Sequence, residues 1–166
     1  MILYHGSAFT VEFPRVIVSE IGKDFGFGFY TTDIKEQASR WAIRKAKIEN
    51  RISRNTKPII NIYNYKELDA KNNLNIKVFS APDLEWLEFI LSCRSNSEFK
   101  HKYDIVIGNI ANDNVGETVT FVLSGIMRKE DAVERLKFSK INNQICFCSQ
   151  KSLFYLEFIN SEEVGI

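Results

Sequence analysis

Strand-like and helix-like segments follow one another along this chain without a regular alternation. Runs rich in β-branched and aromatic residues predict strands, and apolar residues three to four positions apart predict helices. Because the two kinds of segment do not alternate one for one, their order favours the α+β class. The predicted strands cover residues 2–5, 58–65, 76–79, 103–108, 144–148 and 155–159, and the predicted helices cover residues 34–54, 82–94, 115–124 and 129–138. The run at 103–108 is almost wholly apolar, which is typical of a strand inside a sheet.

Length and charge set limits on what the chain can be. It has 166 residues, of which 45% are hydrophobic and 13% aromatic, so residues 1–166 are predicted to form one domain with a substantial core. The formal net charge of +1 argues against a surface built mainly to neutralise phosphates, but it allows a local basic strip. The second half of the predicted helix 34–54 carries such a strip, which faces either solvent or phosphates: Arg40, Arg44, Lys45, Lys47, Arg51 and Arg54.

The chain carries no signal for membrane insertion or export. It has no run of about 18 apolar residues, and its first residues lack the basic and apolar regions of a secretory signal. We therefore expect a cytoplasmic protein without membrane contact. Cys93, Cys146 and Cys148 have no framework spacing, which predicts reduced thiols. Since only His5 and His101 are available as histidine ligands, no metal site is expected.

Several enzyme classes are excluded by missing motifs. There is no phosphate-binding loop, no Gly-x-Ser-x-Gly turn and no His-Glu-x-x-His. Gly26-Phe27-Gly28 lacks the third glycine and the preceding strand of a dinucleotide-binding fingerprint. Neither a P-loop NTPase, a serine hydrolase nor a zinc protease is predicted.

Three features lie close together in the first 41 residues. His5 ends a short extended segment, Tyr30 follows a loop of glycines and aromatics, and Trp41 comes eleven residues later on the predicted helix. Taken singly, each has a packing explanation. A histidine beside a tyrosine is often a simple hydrogen-bonded pair, and a tryptophan on an apolar helix face is usually core.

Together these residues resemble the diphtheria-toxin and poly(ADP-ribose)-polymerase branch of the ADP-ribosyltransferase superfamily, which is marked by a His–Tyr–Glu triad. Further segments resemble small bacterial proteins proposed to be such transferases and taken to be toxins encoded beside a neutralising partner. The resemblance implies a compact α+β fold, with two small, roughly perpendicular antiparallel sheets around an NAD cleft and helices outside. It rests on Leu3-Tyr4-His5-Gly6-Ser7, Lys23-Asp24-Phe25-Gly26, Gly28-Phe29-Tyr30-Thr31-Thr32, and residues 103–108 and 143–147.

The resemblance also implies roles for individual residues. His5 would bond a ribose hydroxyl on the adenosine side, and Gly6 would present its backbone to the nicotinamide carboxamide. Tyr30 and Trp41 would enclose the nicotinamide ring, whose positive charge suits an aromatic face. The remaining NAD-binding residues would be Ser7, Asp24, Phe25, Gly26 and Gly28.

The third position of the triad falls on Gln144, where the branch has a glutamate. A glutamine keeps a hydrogen bond to the nicotinamide ribose but lacks the charge that offsets the positive charge developing in the transition state. This departure argues against polymer formation and leaves mono-ADP-ribosylation or an inactive binder open. Asp113 and Glu117 are other candidate sources of negative charge.

The resulting hypothesis is a mono-ADP-ribosyltransferase with His5, Tyr30 and Gln144 as its catalytic set, NAD as substrate and no metal. The acceptor would be a macromolecule, and the near-neutral charge favours protein over nucleic acid. A toxin role implies a small antitoxin protein, for which the exposed faces of helices 34–54 and 82–94 are candidate docking sites. The alternatives are a non-catalytic NAD or ADP-ribose binder and an interaction domain in which the same side chains only pack.

Overall fold

The computed structural model describes residues 1–18, 23–52, 55–96, 99–110, 113–136 and 142–165. It has two small sheets and several helices, which confirms the α+β class. The strands are β1 (Ile2–Ser7), β2 (Phe29–Thr31), β3 (Ile59–Tyr65), β4 (Ile76–Val78), β5 (Ile105–Ile110), β6 (Asn142–Phe147) and β7 (Leu156–Glu163). The helices are α1 (Lys35–Asn50), α2 (Glu67–Asn73), α3 (Leu84–Ser95), α4 (Asp113–Leu123) and α5 (Lys129–Leu136), with a 3-10 helix at Gln150–Tyr155.

The first sheet is antiparallel in the order β1-β3-β7, and α1 packs against β1. Gly6 makes this packing close. A Cβ at Gly6 would lie 2.1 Å from the Ala38 carbonyl oxygen and 2.7 Å from the Ala42 amide nitrogen, so no side chain fits there. The helix that carries Trp41 is therefore held directly against the strand that carries His5.

The second sheet has the order β2-β6-β5-β4, and its last pair, β4 and β5, is parallel. The prediction of two purely antiparallel sheets is therefore wrong for this sheet. The chain between β4 and β5 contains α3, and a helical crossover of this kind returns the chain in its original direction. The prediction that residues 103–108 form an interior strand is confirmed, because β5 lies between β6 and β4.

A short backbone junction joins the two sheets. The Tyr4 amide donates to the Thr32 carbonyl oxygen at 2.8 Å, and the Thr32 amide donates to the Tyr4 carbonyl oxygen at 2.9 Å. The Thr32 hydroxyl also donates to the Asn143 carbonyl oxygen at 2.9 Å. The middle of β1, the end of β2 and the start of β6 consequently lie side by side.

Two apolar clusters cover opposite faces of the second sheet. Ile105 and Phe147 belong to the cluster shared with the first sheet, whereas Val106 and Cys146 belong to the cluster shared with α3, α4 and α5. This is the alternation of side chains expected along strands. Trp86 is fully buried in the second of these clusters, in agreement with a packing role.

Two elements have no counterpart in the predictions. β2 has only three residues, and α2 is short and mostly polar, so neither contains a full hydrophobic period. The predicted helix 34–54 ends at Asn50, and residues 53 and 54 lie outside the described part of the chain. The helix predicted at 115–124 begins earlier, at Asp113, and residues 111 and 112 lie outside the described part of the chain. None of the described helices has the length and apolarity needed to cross a membrane.

Candidate functional site

A cleft of about 480 Å³ opens where β1, β2, β6 and α1 meet. It brings together His5 from β1, Tyr30 from β2, Trp41 from α1 and Gln144 from β6. Four of the residues singled out in the sequence therefore share one site, although they come from four separate elements. The full lining is His5, Lys23, Asp24, Tyr30, Trp41, Arg44, Lys45, Ile48, Arg94 and Gln144.

The His5 imidazole is held by the strand junction. Its Nδ1 lies 2.6 Å from the Tyr30 carbonyl oxygen. Since a carbonyl oxygen only accepts, Nδ1 carries the proton and Nε2 carries a lone pair. Burial, reinforced by the charge of Lys45, lowers the pKa of His5 to about 3. The ring is thus neutral at physiological pH, and Nε2 is a hydrogen-bond acceptor beside the cleft.

The Tyr30 hydroxyl is engaged by the preceding loop. It donates to the Gly26 carbonyl oxygen and accepts from the Phe25 amide at 3.3 Å. Gly26 has a φ of +76°, a left-handed conformation that favours glycine, and this turn brings both backbone groups to the hydroxyl. Burial raises the pKa of Tyr30, so the phenol remains protonated.

The aromatic face of Tyr30 already has a cationic neighbour. Lys23 Nζ lies 5.0 Å from the centre of the Tyr30 ring, within the range of a cation–π interaction. Both residues line the cleft. The ring therefore presents a face that accepts positive charge, which is the property required of a platform for a cationic ring.

Gln144 has an unsatisfied acceptor at the cleft. It pairs with Gly108 in the β5–β6 ladder, and only 5% of the residue is exposed. No hydrogen-bond partner for its Oε1 is found in the described part of the chain. A buried acceptor left unpaired costs about 1–3 kcal/mol, so a donor on a bound ligand would recover part of that free energy.

The charge of the lining is predominantly positive. Arg94 donates from Nε and Nη2 to the same carboxylate oxygen of Asp24, at 2.6 Å and 2.5 Å, which balances the Asp24 charge. Lys23, Arg44 and Lys45 add further cations. Burial, together with the nearby Lys23, lowers the pKa of Lys45 to about 8. A cleft with this charge favours an anionic ligand.

The basic residues of α1 lie in three different surroundings. Arg44 and Lys45 line the cleft, whereas Arg40 lines a separate groove with Ser39, and Lys47 is exposed. Arg44 and Lys45 were predicted only as members of the basic strip and were not assigned to the NAD site. The sequence did contain the information needed to place them beside Trp41. The residues that share one helix face by their spacing are Trp41, Arg44, Lys45 and Ile48.

The other predicted NAD-binding residues, apart from Asp24, do not line the cleft. A Cβ at Gly28 would lie 2.3 Å from Cys146 Sγ. Glycine is therefore needed at this position so that the backbone can pack closely against β6. Gly6 allows β1 to pack closely against α1 for the same reason. The predicted binding residues that are not in the described lining of the cleft are Gly6, Ser7, Phe25, Gly26 and Gly28.

Glu117, one of the two other candidate carboxylates, lies away from the cleft. Glu117 pairs with Arg135 on α5 at 3.3 Å and is not part of the cleft lining in the described residues. The side chain of Asp113 lies outside the described part of the structure.

Fold and site together define an α+β domain with a basic, aromatic cleft at the junction of two small sheets. Residues 1–158 match the family described as a protein of unknown function, DUF3990, and the chain belongs to this family. No curated protein and no solved structure matches the chain.

Proposed function

We propose that this protein is a mono-ADP-ribosyltransferase that moves ADP-ribose from NAD to a macromolecule and releases nicotinamide. The observation that carries the proposal is the convergence of His5, Tyr30, Trp41 and Gln144 on one cleft. This is the set expected from the resemblance, and Gln144 joins the other three from a distant part of the chain.

The lining offers a complementary group for each part of NAD. Tyr30 and Trp41 provide aromatic surface for the cationic nicotinamide ring. The lone pair on His5 Nε2 can accept from a ribose hydroxyl, and Gln144 Oε1 can accept from another. The cations of α1 suit the pyrophosphate, which is why the excess positive charge supports a dinucleotide.

In the proposed reaction the bond between nicotinamide nitrogen and ribose C1′ breaks, and its electron pair returns to the nicotinamide ring. Positive charge develops on the ribose, and a nucleophile of the acceptor forms the new bond to C1′ and loses its proton. Gln144 would hold the ribose by a hydrogen bond without contributing a negative charge. We therefore expect slow turnover, because transition-state charge stabilisation is usually a large part of catalysis.

The acceptor is proposed to be a protein, and the biological role that of a toxin held in check by a small antitoxin protein. Both statements rest on the resemblance, and the near-neutral net charge adds support for a protein acceptor over bulk nucleic acid. The exposed face of α1 is the proposed docking site for the antitoxin.

One observation favours a second function, a non-catalytic NAD or ADP-ribose binder. The carboxylate in the described cleft lining is Asp24, and its charge is already balanced by Arg94. A site with acceptors and cations but no uncompensated carboxylate is suited to holding a dinucleotide without cleaving it.

Incubation of the protein with radiolabelled NAD and a cell lysate separates these functions. A transferase releases nicotinamide and labels a macromolecule, whereas a binder is thermally stabilised by NAD and does neither. The Tyr30→Ala variant should lose activity while retaining its fold. The Phe154→Ala variant, at an aromatic residue that is 80% exposed, is the matched control and should retain activity. Full activity of Tyr30→Ala would contradict the stacking role.

A further inference from the structure

A second cavity, of about 320 Å³, lies on the other side of the loop that holds Tyr30. Cys148 and His101 both line it, so a thiol and an imidazole share one solvent-accessible space. The proposed transfer reaction uses neither residue. The complete lining is Val16, Val18, Gly26, Phe27, Phe99, Lys100, His101, Tyr103 and Cys148.

Cys148 has a second thiol in contact. Its Sγ lies 3.4 Å from Cys146 Sγ and 3.4 Å from the Cys146 carbonyl oxygen. The two residues are two positions apart at the end of β6 and turn their side chains toward each other. Cys146 is fully buried and Cys148 is partly exposed, so only Cys148 is open to a reagent in the cavity.

His101 is fixed beside Cys148 by two backbone hydrogen bonds. Its Nδ1 accepts from the Tyr103 amide at 3.2 Å, so the proton is on Nε2, which lies 3.0 Å from the Phe25 carbonyl oxygen. The imidazole lies beside Cys148 in the cavity lining. The interaction with Cys146, with a smaller contribution from the neighbouring His101 and against the opposing effect of burial, lowers the pKa of Cys148 to about 6. Burial instead raises the pKa of Cys93 to about 12.

We propose that Cys148 is a peroxide-reactive thiol and that Cys146 is the thiol that resolves its oxidised form into a disulfide. The contact between the two sulfur atoms, the cavity at Cys148 and the imidazole beside it carry this assignment. Thiolate character combined with access is what makes a cysteine susceptible to oxidation.

Both steps balance with hydrogen peroxide as the oxidant. The Cys148 thiolate attacks one peroxide oxygen, the O–O bond breaks, and the departing hydroxide takes up a proton to become water. Cys148 is thereby oxidised by two electrons to a sulfenic acid. Cys146 sulfur then attacks Cys148 sulfur, the S–O bond breaks, the S–S bond forms, and the hydroxide leaves as water with the Cys146 proton. The sulfur atoms need to move from 3.4 Å to about 2 Å.

The pair lies next to the candidate NAD site. Cys146 is directly opposite Tyr30 in the β2–β6 ladder. His101 bonds the Phe25 carbonyl oxygen, and the amide of the same residue bonds the Tyr30 hydroxyl. The thiol pair is therefore a neighbour of Tyr30, and its assignment does not depend on the function of the cleft.

The test is oxidation of the full reduced chain with hydrogen peroxide, followed by denaturation, alkylation of the remaining thiols and mass spectrometry of the intact protein and its peptides. The expected product has lost two hydrogens, with Cys146 and Cys148 protected from alkylation and Cys93 alkylated. Cys148→Ser should abolish this reaction. Cys146→Ala should stop at a sulfenic acid that dimedone traps on Cys148, and Cys93→Ser is the matched control that should behave as the parent chain.

Native alkylation gives a second measurement on the unaltered chain. Iodoacetamide should modify Cys148 at least about tenfold faster than Cys93 at pH 7, because the first is a partly exposed thiolate and the second a buried thiol. The proposal is overturned if the two cysteines react at equal rates, or if peroxide yields neither the disulfide in the parent chain nor the dimedone adduct in Cys146→Ala.

Discussion

His5 Nδ1 donates a hydrogen bond of 2.6 Å to the main-chain carbonyl oxygen of Tyr30. The side chain of one residue of the site is thus oriented by the backbone of another. This contact sets the tautomer of the imidazole, and the tautomer makes Nε2 an acceptor. A histidine placed in this way is suited to holding a hydroxyl group, not to transferring a proton.

The first prediction concerns the pH dependence of stability. His5 has a folded-state pKa of about 3 against an ordinary value of 6.5, so between these values the unfolded chain binds the proton more readily. The contribution of His5 is complete above pH 6.5 and is lost as the pH falls toward 3. In His5→Gln the pH dependence of the unfolding free energy should fall by up to about 1.4 kcal/mol per pH unit within that window. Urea denaturation at a series of pH values measures this slope, and equal slopes for both proteins would contradict the burial of a neutral His5.

The second prediction concerns the packing of α1 on β1. Gly6→Ala should destabilise the fold by about 2–4 kcal/mol, because the added methyl group would lie within 2.1 Å of the Ala38 carbonyl oxygen and backbone cannot yield as a side chain does. Gly116→Ala in α4 is the matched control, with nothing described within 4 Å, and it should stabilise the fold by about 0.5–1 kcal/mol. Thermal and chemical denaturation of the two variants provide the comparison. Equal stabilities would show that β1 and α1 are farther apart than described.

The third prediction concerns the charge of the cleft. If the cations of α1 bind the pyrophosphate of NAD, Lys45→Met should weaken NAD binding about tenfold or more and reduce its salt dependence. Lys47→Met removes the same charge from an exposed position on the same helix and should change the affinity by less than about twofold. Titration calorimetry at two salt concentrations distinguishes them. Equal losses in both variants would indicate a general charge effect and not a site.

The fourth prediction concerns the charge at Gln144. A carboxylate at this position would offset the positive charge that develops on the ribose, so Gln144→Glu should retain or raise NAD hydrolysis. Gln150→Glu places the same charge on the exposed 3-10 helix and should leave hydrolysis unchanged. Nicotinamide release measured by chromatography gives the rates. Complete loss of hydrolysis in Gln144→Glu would mean that another residue occupies the third position of the triad.

Local sequence patterns were sufficient to predict the longer strands and helices. β3 and α1 were predicted to within a few residues because each contains several repeats of its own hydrophobic period. β2, with three residues, contains none. Its position depends on pairing with β6, a contact between residues more than one hundred positions apart. Short elements of this kind become visible only when their partners are known.

The amino-acid sequence on its own established the class of fold, most of its elements and the residue types that resemble an NAD site. Tertiary structure decided which of those residues meet. It placed Lys23 over Tyr30, paired Asp24 with Arg94, and turned Arg44 and Lys45 into the cleft while Lys47 remained exposed. The physical reason is that hydrophobic periodicity reports the face on which a side chain lies, whereas its neighbours on that face are set by strand order, register and the junction between the sheets.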